Sequence, residues 1–177
     1  MGKSKWAVVL AAVVVLSACV VLTPVPALGA GGILYSPGGA REGSGIGLEA
    51  YRVAPDGTLR GGALWFAGSI APEPDVDTTI PHSDYHTKSY DSRWGLLYLH
   101  GRETGKVTLI GGIGVAVVNT DYIDVSNVTG WSWDGGSDTT VESEVQLGLL
   151  IRIQERAGVR LGVDSQFGTF AGVAFAF

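Results

Sequence analysis

Over residues 142–154, Val145, Leu147, Leu149, Ile151 and Ile153 alternate with Glu144, Gln146, Gly148, Leu150 and Arg152. A period of two is the mark of a β-strand whose two faces meet different surroundings. The pattern repeats downstream. Val159, Leu161 and Val163 oppose Arg160, Gly162, Asp164 and Gln166, and Ala171, Val173, Phe175 and Phe177 oppose Phe170, Gly172, Ala174 and Ala176. One face is apolar and the other polar or very small. Weaker alternation runs through residues 31–36, 43–53, 59–70, 93–102 and 107–120, which brings the expected strands to eight. The 27 glycines are scattered through the apolar stretches, where they weaken helices.

The connections alternate in length. Ala54-Pro55-Asp56-Gly57, Glu103-Thr104-Gly105-Lys106 and Glu155-Arg156-Ala157-Gly158 have the composition of tight turns. Between them fall longer connections over residues 37–42, 71–91 and 121–141, and a short one near Gly168. In an antiparallel meander, alternate connections lie at opposite ends, so the tight turns share one end and the long loops the other.

The N-terminus differs from everything after it. Lys3 and Lys5 precede an uninterrupted apolar run over residues 6–22, Pro24 and Pro26 follow, and Ala27-Leu28-Gly29-Ala30 supplies small residues. This is the order of a secretory signal peptide over residues 1–30, cleaved near Gly29 or Ala30. An uncleaved anchor is the alternative, although the run is slightly short for a spanning helix. Leu16-Ser17-Ala18-Cys19 also matches the bacterial lipoprotein box, in which Cys19 is lipidated, but Val20-Val21-Leu22 is an apolar continuation where a polar tether is usual. Cleavage at the preferred site leaves residues 31–177 as one domain with no cysteine, so no disulfide staples it. Losing Lys3 and Lys5 also takes the formal charge from -5 to -7, which argues against a nucleic-acid partner.

Alternation does not say which face points outward. A soluble barrel or sandwich turns its apolar face in; a membrane barrel turns it to lipid. Here the candidate inward face mixes glycines with Glu49, Arg102, Glu144, Arg152, Arg160 and Asp164. Acids and bases occur there in similar number, consistent with a salt-bridged interior. The expectation is therefore an all-β, eight-stranded, antiparallel up-and-down transmembrane barrel, with Val145, Leu147, Leu149 and Ile151 outside. A secreted or lipid-anchored soluble barrel around a small apolar ligand requires the reverse.

The final segment, Thr169-Phe170-Ala171-Gly172-Val173-Ala174-Phe175-Ala176-Phe177, resembles the C-terminal assembly signal of bacterial outer-membrane barrels. Its matching positions are Phe177, Phe175, Val173 and the smaller Ala171. With eight strands, tight turns at one end and an export signal, the chain is similar to the small OmpA-like and OmpX-like barrels. That resemblance implies location in the bacterial outer membrane, contact with its lipid, recognition of the last strand by the barrel-assembly machinery, and tight turns in the periplasm. Tyr51, Trp65, Trp94 and Tyr98 are candidates for the aromatic girdles of such a barrel.

Catalytic chemistry is weakly signalled. His82, Asp84 and His86 have a spacing that can converge on a metal if extended. Ser83, Asp84 and His86 or His100 supply the residue types of the outer-membrane enzymes that trim lipid A. No motif brings these groups together, and neither catalysis nor any metal or cofactor is expected. Trp131 and Trp133, beside Asp134 and Asp138, suit either a contact surface or packing on the barrel rim. Asn127-Val128-Thr129 fits a glycosylation sequon that carries no weight in a bacterial protein. The expected role is structural or interactive, without a wide pore, with the loops at 71–91 and 121–141 as the surface for a partner.

Overall fold

The computed structural model describes residues 28–37, 44–69, 73–74 and 84–176. Eight strands follow one another in chain order: β1 (Leu28–Ser36), β2 (Gly45–Val53), β3 (Thr58–Gly68), β4 (Tyr85–Thr104), β5 (Val107–Ser126), β6 (Ser132–Gln154), β7 (Ala157–Asp164) and β8 (Gly168–Ala176). Each pairs antiparallel with its neighbours, and β1 closes on β8 from Ala30↔Ala176 to Tyr35↔Ala171. Closure removes every sheet edge along the staves, a requirement for any sheet that crosses lipid.

Tight turns join β2 to β3, β4 to β5 and β6 to β7. In the first, Gly57 has φ 79°, the Thr58 amide donates to Asp56 Oδ1 at 2.9 Å, and those hydrogen bonds hold the Asp56 carboxyl below its usual range. The longer connections and the β7–β8 turn lie at the other end.

The apolar face points outward. Ile113 is 66% exposed and Val145 56%, while Glu144 and Gln146 are 1% and 2% exposed. Leu147, Leu149 and Ile151 share the outer face with Ile33, Ile46, Leu48, Leu109, Leu161 and Val173. A soluble barrel around an apolar ligand requires the opposite orientation. The belt-and-lumen arrangement is that of a transmembrane barrel.

The lumen departs from the expectation of a polar or tiny inner face. Leu34, Leu59, Trp65, Leu97, Leu99, Ile110 and Phe170 all point inward and are buried. Eight strands enclose a volume that side chains must fill, and glycines with a few charges cannot fill it. For the same reason Tyr51 and Trp65 sit inside and are not girdle residues, whereas Trp94 and Tyr98 are half-exposed on the outer face. Arg102 faces outward, and Arg152 is exposed at the mouth, paired with Glu103 at 2.5 Å. A recess of about 150 Å³ occupies that mouth, between Tyr51, Val53, Leu150 and Ala174.

Glycines in the wall make room for the large interior side chains. A Cβ on Gly47 would lie 2.8 Å from the Trp65 ring, and one on Gly112 2.9 Å from Leu99. Gly47→Val is expected to lower stability by about 1–3 kcal/mol through overpacking. Urea titration of the refolded barrel, with Gly111→Val as the control at an open position, measures the difference.

The largest difference from the sequence expectation is strand length. The segments expected as loops at 71–91 and 121–141 are partly strand: β4 starts at Tyr85, β5 runs to Ser126 and β6 starts at Ser132. Alternation is weak as a signal there because most of these side chains are polar and exposed, with only a few such as Ile123 and Trp133 buried. The N-terminal segment to residue 27, with Cys19, lies outside the described residues, as do Pro81, His82, Ser83 and Phe177.

Candidate functional site

Two regions are built with more polar structure than a simple stave needs: the lumen and the sheet that projects beyond it.

In the lumen, Arg160 is fully buried on β7. Its Nε donates to Glu49 Oε2 at 3.2 Å, Nη2 to Gln146 Oε1 at 3.0 Å and Nη1 to the Leu161 carbonyl at 3.2 Å. Its guanidinium also lies 5.1 Å from the centroid of Phe170. One planar cation thus ties β2, β6, β7 and β8 together, using the fork geometry that suits arginine to buried carboxylates. Toward the loop end, Phe167 stacks on Trp65 with ring centroids 5.3 Å apart, and Phe170 meets Trp65 edge-on at 5.4 Å. Asp164 Oδ1 accepts the amides of Gln166 at 2.8 Å and Phe167 at 3.1 Å, which fixes the β7–β8 turn. Ser36 donates to the Phe167 carbonyl. The turn therefore folds an aromatic ring into the barrel. Sequence inspection missed Phe167, because a lone aromatic in a short turn has no periodicity.

Beyond the last rungs shared with β3 (Gly68↔Ser92) and β7 (Gln146↔Asp164), strands β4, β5 and β6 continue as a three-stranded sheet. Its rungs run from Asp91↔Thr120 to Tyr85↔Ser126 on one side and from Asp138↔Thr120 to Ser132↔Val125 on the other. A register shift between Tyr122 and Ile123, with Gly136 at φ 95°, bends β6 near its tip. The tip turn is held by Ser126, whose amide donates to Trp131 O at 2.8 Å and whose Oγ accepts the amides of Val128 and Thr129. Asn127-Val128-Thr129 is thus the turn itself.

The residues singled out for chemistry are placed elsewhere or held otherwise. Asn127 bridges His86 and Asp84: its Oδ1 lies 2.7 Å from His86 Nδ1, and its Nδ2 donates to Asp84 Oδ1 at 2.7 Å. His100 is fourteen rungs down β4 from His86, on the outer wall near the tight turns. Among the described residues, no three His, Cys, Asp or Glu side chains are grouped to hold a metal ion. Trp133 is buried and Trp131 half-buried, so these indoles pack the sheet.

What the projecting sheet offers is charge. Residues 84–91 and 119–142 contain seven carboxylates, Asp84, Asp91, Asp121, Asp124, Asp134, Asp138 and Glu142, against the single lysine Lys88. Thr87 and Thr120 donate to Asp124 and Asp91, at 2.5 and 2.8 Å, so part of this charge is locked into the sheet.

No protein-family model matches the chain, and no curated protein sequence does. Solved structures do. Ail, the attachment invasion locus protein of Yersinia pestis, is similar with a TM-score of 0.57 at 12% identity, over 85% of this chain and 95% of that one. Ail in complex with the heparin analogue sucrose octasulfate gives 0.55 at 12% identity, over 84% and 93%. Neisserial surface protein A gives 0.46 at 10% identity, over 85% and 95%. At 12% identity the likeness to Ail is one of fold, and it agrees with the closed ladder: the chain has the eight-stranded transmembrane architecture of the small outer-membrane barrels.

Proposed function

We propose that the protein is an outer-membrane barrel that anchors an acidic, three-stranded sheet at the cell surface for contact with a partner. The observation that carries this reading is the continuation of β4, β5 and β6 past the rest of the wall. Tyr85 to Asp91 alone adds about 23 Å, at roughly 3.3 Å per residue. Long connections belong to the outer side of such barrels and tight turns to the periplasmic side. A lumen filled by Trp65, Phe167, Arg160 and Leu97 favours a stand over a wide pore.

The Ail complex holds a polysulfated ligand. Asp91 is paired with Arg93 at 3.0 Å, and the other six carboxylates against one lysine would still repel a polyanion, so the partner favoured for this chain is cationic. Binding that weakens steeply as salt rises is the corresponding signature.

Export by a leader over residues 1–30, with cleavage near Gly29 or Ala30, is part of the same proposal. β1 begins at Leu28, so a cut there trims the rungs Leu28↔Val53 and Gly29↔Arg52. Recognition of the last strand by the assembly machinery, through Phe177, also belongs to it.

The test is labelling of intact cells with a membrane-impermeant maleimide. Ser137→Cys on the projecting sheet is expected to react fully and Ile113→Cys on the belt hardly at all. Equal labelling of the two, or labelling of Ser137→Cys only after lysis, overturns the reading.

A further inference from the structure

On the outer wall near the tight turns, three adjacent strands place basic residues side by side. The register pairs Arg52 of β2 with Arg60 of β3, and Arg60 with His100 of β4. All three are exposed. Arg102, one step further toward the turns, is exposed as well and lies near the Asp56 carboxylate. Among the described residues, no ion pair forms with Arg60 or His100.

Like charges directly opposite one another across a ladder destabilise it. The row nevertheless lies within one outward step of the tight turns, just past the outward rungs Ala50↔Gly62 and Gly62↔Tyr98. The remaining strands are different: the outer residues nearest the tight turns on β5 to β8 include Leu109, Ile151, Val159 and Phe175. On the outward strand face near the tight turns, Arg52, Arg60, His100 and Arg102 thus share one sector, while Lys106 and Arg156 at the same end sit in the turns themselves. Long side chains there keep their stems on the apolar surface and their charges at the interface. Next to His100 the wall is bare, since Gly111 pairs with it and a Cβ there would meet nothing closer than 3.9 Å.

We propose that Arg52, Arg60 and His100 form a binding site for the phosphate of an anionic phospholipid in the leaflet at the tight-turn end. Arginine presents a planar fork that matches phosphate geometry. An anion there also supplies a counter-charge to Arg60, which forms no ion pair among the described residues. The acyl chains then run along Ala50, Gly62, Tyr98 and the rungs above. The site rests on the membrane reading given above and adds to it a lipid class and a leaflet.

The experiment is native mass spectrometry of the full chain released from nanodiscs of phosphatidylcholine and phosphatidylglycerol in equal amounts. The wild type is expected to retain phosphatidylglycerol preferentially. Arg60→Gln lowers that preference about fivefold, and the Arg52→Gln/Arg60→Gln pair about 25-fold, at roughly one such factor per cation near an anionic surface. Lys88→Gln on the projecting sheet leaves it unchanged. Equal retention of both lipids by a chain that is folded and inserted, as judged by its heat-modifiable gel band, overturns the site but not the membrane reading. Displacement of the lipid by free glycerol phosphate overturns the lipid as its occupant. A chain recovered outside the discs overturns the membrane reading and the site with it.

Discussion

Replacing Arg160 with methionine is expected to cost the folded barrel about 3–5 kcal/mol, the penalty for leaving one member of a buried ion pair alone. Both side chains of the Arg160–Glu49 pair are fully buried, and the guanidinium also holds Gln146 and the Leu161 carbonyl. Without it, the Glu49 carboxylate remains fully buried and without its cation. Urea titration followed by the heat-modifiable gel shift measures the loss. The double variant Glu49→Gln/Arg160→Met is expected to regain more than half of it, because the stranded charge has gone. If the double variant is as unstable as the single one, packing against Phe170 and not charge is what Arg160 provides.

The second large effect concerns the outer face. Ile113→Arg puts a cation on the middle of the belt, where a lipid-facing arginine costs about 2–4 kcal/mol. Ser137→Arg, on the projecting sheet, is expected to change stability by less than about 0.5 kcal/mol, as exposed surface substitutions do. The comparison belongs in phosphatidylcholine vesicles. Equal effects at the two positions would mean that the belt does not face lipid.

These expectations depend on knowing which face is which, and here the sequence was informative only in part. In β6 and β7 the inner face carries Glu144, Gln146 and Arg160 while the outer face is Val, Leu and Ile, so polarity separates the faces and the alternation is clean. In β4 the run Leu96-Leu97-Tyr98-Leu99 is apolar on both faces. Lipid presses one side and a closely packed lumen the other, and hydrophobicity cannot distinguish them. Tyr51 and Trp65 are girdle candidates on chemistry that suits either place; only the face of the strand on which each falls decides. The projecting sheet was hidden for the opposite reason. Its apolar residues, such as Ile123 and Trp133, are too few among the polar ones to set a period, and its residues read as loop until the cross-strand register aligns Tyr85 with Ser126 and Asp138 with Thr120.

The candidate sites follow the same division. The arginine row became visible only once the strands were aligned, since Arg52, Arg60 and His100 are far apart in sequence and adjacent only across the ladder. By contrast, His86 and Asp84 are close in sequence, and Asn127 from the neighbouring strand end holds both.

Because β4, β5 and β6 pass without interruption from the wall into the projecting sheet, that sheet is also a mechanical element. The rungs between antiparallel strands are perpendicular to the chain direction. A pull on the Asn127 tip along the strands is thus borne in shear by many rungs at once, down to Thr104↔Val107, and does not peel them apart one by one. A surface protein built this way can be tugged at its outermost turn while the load is spread through the full height of the barrel.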